Sequence, residues 1–361
     1  MTSEIRVEDL LWSTSTKLDM KKSEELLQVF SFYENIEHTV EVIHTYLLQH
    51  WRKFDFNEKC FFKKENKIHQ NFRSLSTPKN KLFPREIKEI ATETMWKDIL
   101  KEPLDILNIY TDTDFVISGI QHMFQHPQIE DRKSLLHQPV IRVNGDGKGG
   151  FFISGEEGIW TSFVNTTKYK VNANIPDIVE DLENCLDFLS KISMHVQDIS
   201  LRMKTKEDTW KWEKVFIFVI HIFYGNLNIG DTALIQKSNS PKIIKDLWFG
   251  LERVWLARNK FTNYFEQYLE NKELLNRFSD VEIDTIKTLC LMHTTKNKEL
   301  LRNAGPQSTY MKLLKKLSKT KNYFPILQIF FSYRGDFITT SENKTEKILT
   351  DIELHSPENN N

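Results

Sequence analysis

The chain has 361 residues, of which 40% are hydrophobic and 27% are charged, and this composition argues against a disordered protein. Its length suffices for two domains, and its formal net charge of −1 excludes a globally basic surface, so any nucleic acid would bind a local patch. The three cysteines are widely spaced, which predicts neither a zinc site nor a disulfide framework. The longest apolar run, residues 215–224, is too short to cross a bilayer. These features predict a cytoplasmic protein without a membrane partner.

Helical periodicity over residues 24–52 and 87–108 predicts two helices, separated by an irregular Lys- and Asn-rich segment at 54–85. Short β-branched runs then predict strands at 114–119 and 138–143. Residues 144–158 contain six of the 12 glycines and predict a turn or mobile loop, after which 158–165 form a returning strand.

The clearest helical pattern covers residues 175–204. Strands are expected at 215–224 and 231–236, and a strand-to-helix unit is expected at 243–264. From about residue 267 the pattern is helical, and the polar, Asn-rich end predicts a flexible tail. The predicted fold is α+β, with an antiparallel sheet flanked by helices and an all-helical module after it. The predicted parts are a domain at 1–265, the module at 266–346 and the tail at 347–361.

Two segments resemble motifs of class II aminoacyl-tRNA synthetases of the alanyl type. In their motif 3, a strand ends in Asp-x-Gly-x-Gly-Leu-Glu-Arg and a helix follows; Asp246 and the run from Gly250 to Arg253 stand at matching positions. In motif 2, two antiparallel strands are joined by a loop. The segment 138–142 (QPVIR), the glycine-rich loop and the segment 161–163 (TSF) are similar to it.

Two further segments resemble the same family in the same order along the chain. Residues 115–121 resemble the segment Leu-Phe-x-x-x-Gly-Met that lies ahead of motif 2. Residues 284–293 and 303–317 resemble the helical domain that follows the alanyl catalytic core, where a turn leads into a basic helix facing the tRNA acceptor stem. Together the four matches cover roughly residues 110–320, whereas the first hundred residues match poorly.

The resemblance implies a class II fold that activates a small amino acid with ATP and Mg²⁺ as an aminoacyl-adenylate and transfers it to the 3′ end of a tRNA. It implies that Arg142 holds the α-phosphate and Arg253 the γ-phosphate, so that these two cations would be catalytic. Phe163 would stack on adenine, and Glu252 would belong to the same ATP site.

For the other substrates, the resemblance implies that Asp246 pairs with the ammonium group of the amino acid and that Trp248 borders its side-chain pocket. The tRNA would be bound by a turn and a stripe of lysines expected on one helical face: Asn303, Lys312, Lys315, Lys316 and Lys319. A homodimer is a further expectation, because class II cores often pair.

Three departures from the family modify these expectations. Trp248 stands where the alanyl family has Gly beside the side-chain pocket, and Val164 stands where the family has a Glu that recognises the adenine amino group. The editing domain of full-length alanyl enzymes has no counterpart, which predicts a shortened paralogue that does not proofread and serves a specialised, biosynthetic task.

Three alternatives stay open. The activated amino acid could go to an acceptor other than tRNA, or the protein could be a non-catalytic paralogue that binds tRNA or a synthetase. The matches could also be accidental in an unrelated α+β protein. For the individual residues, Phe163 could be core, Asp246 could cap a turn, and the lysine stripe could be a solvated helix face.

Overall fold

The computed structural model describes residues 74–75, 80–95, 134–141, 161–173, 175–195, 198–210, 213–238, 240, 242–261, 276–293, 306–337 and 344–358. Several predictions fall outside these residues: the helix at 24–52, most of the irregular segment at 54–85, the strand at 114–119, the loop at 144–158, Arg142 and Asn303.

Helices and strands of the described residues follow the α+β pattern that the sequence predicts. The strands are β1 (Ser134–Ile141), β2 (Ser162–Val171), β3 (Ile199–Trp210), β4 (Glu213–Tyr224), β5 (Leu227–Lys237) and β6 (Ile243–Gly250). The helices are α1 (Pro84–Met95), α2 (Ile175–Lys191), α3 (Leu251–Asn259), α4 (Asp280–Met292), α5 (Pro306–Leu314), α6 (Phe324–Phe337) and α7 (Thr345–His355). Among these helices, none is long and apolar enough to cross a membrane.

The strands form one antiparallel sheet in the order β1-β2-β6-β5-β4-β3. β1 and β2 are an antiparallel pair, as the sequence predicts, with Gln138 opposite Asn165. β6 lies next to β2, with Asn165 opposite Gly250, and passes directly into α3. The order therefore brings the two segments that resemble motifs 2 and 3 side by side in the sheet.

The two faces of this sheet differ in what they carry, because side chains alternate along each strand. The helix face packs against α2, α3 and α4 through apolar side chains such as Leu247, Phe249 and Phe218. The other face, called the front face here, carries Phe163, Asn165 and the side chains in register with them. Towards β4 the front face holds its own apolar cluster, which includes Val219 and Ile235.

The core on the helix face is continuous across the predicted domain boundary at 265/266. Leu251 and Trp255 of α3 belong to the same cluster of buried side chains as Leu289 of α4, Tyr310 of α5 and Ile348 of α7. The C-terminal helices thus share one core with the sheet.

A buried ionic cluster joins the helix face to α2. The Asp181 carboxylate lies 2.7 Å from Lys245 Nζ and 3.3 Å from Lys168 Nζ, and all three side chains are inaccessible to solvent. Burial lowers the pKa of Lys245, and the charge of Asp181 opposes that shift. Removing one partner of such a cluster leaves uncompensated charge in the interior, so Asp181 stabilises the contact between β2, β6 and α2.

The strands predicted at 138–143, 158–165 and 231–236 have shifted bounds in the structure, and two further predictions fail over longer stretches. The helix predicted at 175–204 ends at Lys191, because Ser193 adopts a left-handed conformation (φ 61°). The Ser193 and Met194 amides donate to the carbonyls of Ser190 and Leu189, which is a Schellman end. Residues 199–210 then form β3. The flexible tail expected from residue 347 is also wrong, because Thr345–His355 form a helix whose Ile348 and Ile352 are buried.

Candidate functional site

Four of the residues singled out in the sequence meet on or beside the front face. Phe163 lies on β2 and packs on Val140 of β1. Asp246 and Trp248 lie on β6, and their side chains share a face with Phe163 because Trp248 pairs with Thr167. Since Phe163, Asn165 and Thr167 alternate on one face of β2, the sheet register alone brings these side chains together.

Arg253 reaches the same face from the first turn of α3. A Cβ on Gly250 would lie 3.5 Å from Arg253 Cγ and 3.6 Å from its Cδ. It would point to the front face, because Gly250 pairs with Asn165. The Arg253 guanidinium donates a hydrogen bond of 3.2 Å to the carbonyl oxygen of Asn228 at the start of β5. The arginine therefore lies across the end of β6, where a side chain at position 250 would contact it.

Asp246 is a buried carboxyl, 3% exposed, that accepts a hydrogen bond from the Thr167 hydroxyl. Burial raises the pKa of Asp246 to about 7; the Thr167 hydrogen bond opposes that shift, and the charge of Asp231 adds to it. Lys245 is a neighbour in sequence, but it faces α2, where it pairs with Asp181. A carboxyl with such a raised pKa would gain free energy from a cationic ligand beside it.

A second carboxylate, Asp231, lies on β5 directly opposite Trp248. One row of cross-strand partners runs through four strands of the front face: Thr167, Trp248, Asp231 and His221. The His221 ring nitrogen Nδ1 lies 2.6 Å from an Asp231 carboxylate oxygen, and the Asn228 amide donates to the same oxygen at 3.0 Å. This cluster was not predicted, because residues 221, 228 and 231 match no motif and become neighbours only through the register of β4, β5 and β6.

Asn165 was not predicted from the sequence either. It is completely buried on β2, between Gln138 of β1 and Gly250 of β6, and neither its amide nitrogen nor its amide oxygen has a hydrogen-bond partner. Asn is depleted in strands, and a buried amide without partners is costly, so its position on β2 is unusual. An Asn two residues after a candidate aromatic stacking residue was the available signal in the sequence.

Glu252 and Val164 lie away from this cluster. The Glu252 carboxylate is buried and sits 3.4 Å from Lys287 Nζ of α4, and that lysine also donates to the carbonyl oxygen of Ser162. Glu252 thus joins α3 to α4 and the start of β2, where a structural role accounts for its burial. Val164 belongs to the core on the helix face, so this position does not look towards Phe163.

The start of β2 is tied to α4 by further polar contacts. The Thr161 hydroxyl donates to Asp284 at 2.6 Å, and the hydroxyls of Ser162 and Thr288 are 3.0 Å apart. Burial raises the pKa of Asp284 to about 6, against the Thr161 hydrogen bond and the charge of Lys287. These contacts hold the first of the C-terminal helices against the strand that carries Phe163.

The predicted lysine stripe is not one helical face. α5 ends at Leu314, so only Lys312 lies in a helix, and Lys315 and Lys316 follow it in a turn. Lys312 and Lys315 are exposed. Burial lowers the pKa of Lys316, and the charge of Asp284 opposes that shift. Lys319 forms an ion pair of 2.9 Å with Glu358 after α7. The helix is shorter than its lysine spacing suggests because residues 315–317 close a tight turn.

Within the described ranges, no group of three or more His, Cys, Asp or Glu side chains could hold a metal ion. The acidic residues of the loop at 144–158 lie outside those ranges. In comparisons with known proteins, no family model matches this chain, and no curated protein matches its sequence.

Proposed function

We propose that the protein activates a small amino acid with ATP, forming an aminoacyl-adenylate, and that it resembles class II synthetases in how it does so. One observation carries the proposal: Phe163, Asp246, Trp248 and Arg253 converge on one face of two adjacent antiparallel strands, although Phe163 and Asp246 are 83 positions apart in the sequence. A chance resemblance in the sequence would not require these residues to share a face.

The front face divides into two halves along β2 and β6. Near the end of β6, Phe163 offers an aromatic face and Arg253 a planar cation, which suits an adenine base and its phosphates. Earlier on β6, Asp246 lies two residues before Trp248, and Asp231 of β5 is opposite Trp248. These two carboxyl groups suit a ligand that carries an ammonium group. The two halves are adjacent, as in-line attack of a carboxylate on the α-phosphate requires.

The chemistry of this arrangement is positioning and charge stabilisation. The amino-acid carboxylate attacks the α-phosphorus of ATP, pyrophosphate leaves, and negative charge builds on the phosphate oxygens. Fixed cations aimed at those oxygens lower the barrier, and Arg253, with Arg142, is proposed for this role. Mg²⁺ is expected to arrive with the phosphates of ATP as part of the substrate.

Asp246 is proposed to bind the ammonium group in its ionised form. Because the pKa of this carboxyl is raised to about 7, it holds a proton in much of the unliganded protein at neutral pH. An ammonium ligand would displace that proton. The affinity for the amino acid should therefore increase as the pH rises towards 7 and level off above it.

Transfer to a tRNA is the preferred second step, because the exposed Lys312 and Lys315 lie on a helical module that shares the core of the sheet. Transfer to another acceptor is the alternative. A non-catalytic paralogue is favoured by one observation, namely that Glu252 is engaged in a buried pair with Lys287.

The test is amino-acid-dependent exchange of labelled pyrophosphate into ATP, screened across the standard amino acids. We expect exchange with one or a few small amino acids, and we expect Arg253→Ala to abolish it. Added tRNA that becomes charged would identify the acceptor. A folded protein that exchanges with no amino acid but binds tRNA would select the non-catalytic alternative. A protein that does neither would refute the proposal.

A further inference from the structure

Asn165 is the most unusual polar side chain of the front face. It is 0% exposed, and both polar atoms of its amide are without a hydrogen-bond partner. Folding strips water from this amide and returns no hydrogen bond, which is unfavourable for the unliganded protein. A ligand that offers one donor and one acceptor would restore both bonds.

The position of Asn165 limits what such a ligand can be. Along β2, Phe163 is the next side chain on the same face. Across the sheet the partner of Asn165 is Gly250, which has no side chain that could bond to the amide. Aliphatic carbons of Arg253 lie 3.5–3.8 Å from where a Cβ on Gly250 would be. The amide therefore has Phe163 beside it along β2, and Gly250 with Arg253 near it across the sheet.

The chemistry of the amide matches one edge of adenine. A side-chain amide presents a donor and an acceptor in one plane, and Asn pairs with the 6-amino group and N7 of adenine through two parallel hydrogen bonds. Val164, which lies between Phe163 and Asn165 in the sequence, faces the helices and is not available for such a contact.

We propose that Asn165 recognises the amino edge of an adenine nucleotide held beside Phe163. The inference rests on the proposed ATP-dependent function and deepens it, because it names the residue that selects the base. It also gives a reason for a buried amide without partners on β2. The missing hydrogen bonds destabilise the unliganded protein, and the bound nucleotide supplies them.

The experiment compares the binding of ATP and of purine riboside 5′-triphosphate, which lacks only the 6-amino group, by titration calorimetry on the full chain. The wild-type protein should bind ATP roughly 10- to 100-fold more tightly than the analogue. Asn165→Leu should bind both nucleotides with equal, weaker affinity. Asn165→Ala, which adds no bulk, should give the same loss of preference if the leucine variant folds poorly.

Asn184 of α2 provides the matched control. Its amide nitrogen is also buried without a partner, but it lies on a helix and not on the front face. Asn184→Leu should keep the preference for ATP. In thermal unfolding without nucleotide, Asn165→Leu should melt at a temperature equal to that of the wild type or roughly 2–4 °C higher, because an unpaired amide has been removed.

The outcomes separate this inference from the proposed function. If the wild type binds ATP and Asn165→Leu and Asn165→Ala keep the preference for it, the inference is wrong and the proposed function stands. A large fall in melting temperature for both Asn165 variants without nucleotide would give Asn165 a structural role and also overturn the inference. If the wild type binds neither nucleotide, both proposals fail.

Discussion

Replacing Asp246 by Asn should stabilise the protein at neutral pH while it removes the proposed binding of the amino acid. The carboxyl is 3% exposed, and burial raises its pKa from 3.8 to about 7. Between these values the folded state holds a proton that the unfolded state has lost. The stability contributed by this group is therefore present at acidic pH and is lost as the pH rises through that window.

The size of the effect follows from the pKa difference. A shift of one pKa unit corresponds to about 1.36 kcal/mol, so a shift from 3.8 to about 7 corresponds to roughly 4 kcal/mol once the pH exceeds 7. The Asn variant cannot ionise, and its amide oxygen can still accept the hydrogen bond from Thr167. The variant should therefore match the wild type near pH 4 and exceed it increasingly above that.

Urea unfolding of both proteins between about pH 4 and pH 8 measures this difference directly. Other titrating groups, among them Asp284 with its pKa raised to about 6, contribute equally to both proteins and cancel in the comparison. A difference that does not change with pH would refute the reasoning. A wild type that gains stability relative to Asp246→Asn as the pH rises would mean that a cation in the folded protein already holds the carboxylate ionised.

Three further substitutions test the roles of single side chains. Arg253→Ala should lose on the order of 2–4 kcal/mol of transition-state stabilisation in kcat/KM with little change in melting temperature. Its control, Arg258→Ala, should instead lower the melting temperature, because Arg258 is buried and donates to backbone carbonyls of two other segments. If Arg253→Ala lowers the melting temperature and leaves kcat/KM unchanged, Arg253 is structural. Trp248→Gly should broaden or shift the choice of amino acid in the exchange assay, and unchanged selectivity would remove Trp248 from the pocket. Asp181→Ala should cost about 3–5 kcal/mol in urea unfolding because it removes the nearest carboxylate from two buried lysines and leaves Lys168 with the more distant Glu180 at 3.7 Å; a loss below about 1 kcal/mol would mean that the remaining contacts compensate both lysines.

Much of the fold was accessible from the sequence alone. The α+β class, the antiparallel pairing of β1 with β2, and the strand-to-helix unit from Ile243 follow from local patterns. So do the strands predicted at 215–224 and 231–236, which the structure extends to 213–224 and 227–237. Local patterns fail where a few backbone hydrogen bonds end a helix within a longer periodic segment. The helix predicted to continue to residue 204 ends at Lys191 through backbone bonds around Ser193, a residue type that does not by itself indicate a left-handed end.

The candidate site was only partly accessible. Motif-like spacing indicated Phe163, Asp246, Trp248 and Arg253, which the structure brings to one region. The same spacing indicated Glu252, which lies instead in a buried pair with Lys287. Successive residues of a helix point in different directions, so adjacency in a motif does not place two side chains in one site.

The sequence by itself indicated most of the strands and helices and which residue types stand at the motif-like positions, because periodicity and spacing are local properties of the chain. The strand β3 and the last helix are exceptions. Only the tertiary structure decided which of those residues are neighbours. The pairing of β2 with β6 places Asn165 opposite Gly250, and the pairing of β5 with β4 places Asp231 beside His221. Strand register is a long-range property, set by the burial of a whole face rather than by any one segment, so the buried amide of Asn165 becomes visible only in the folded protein.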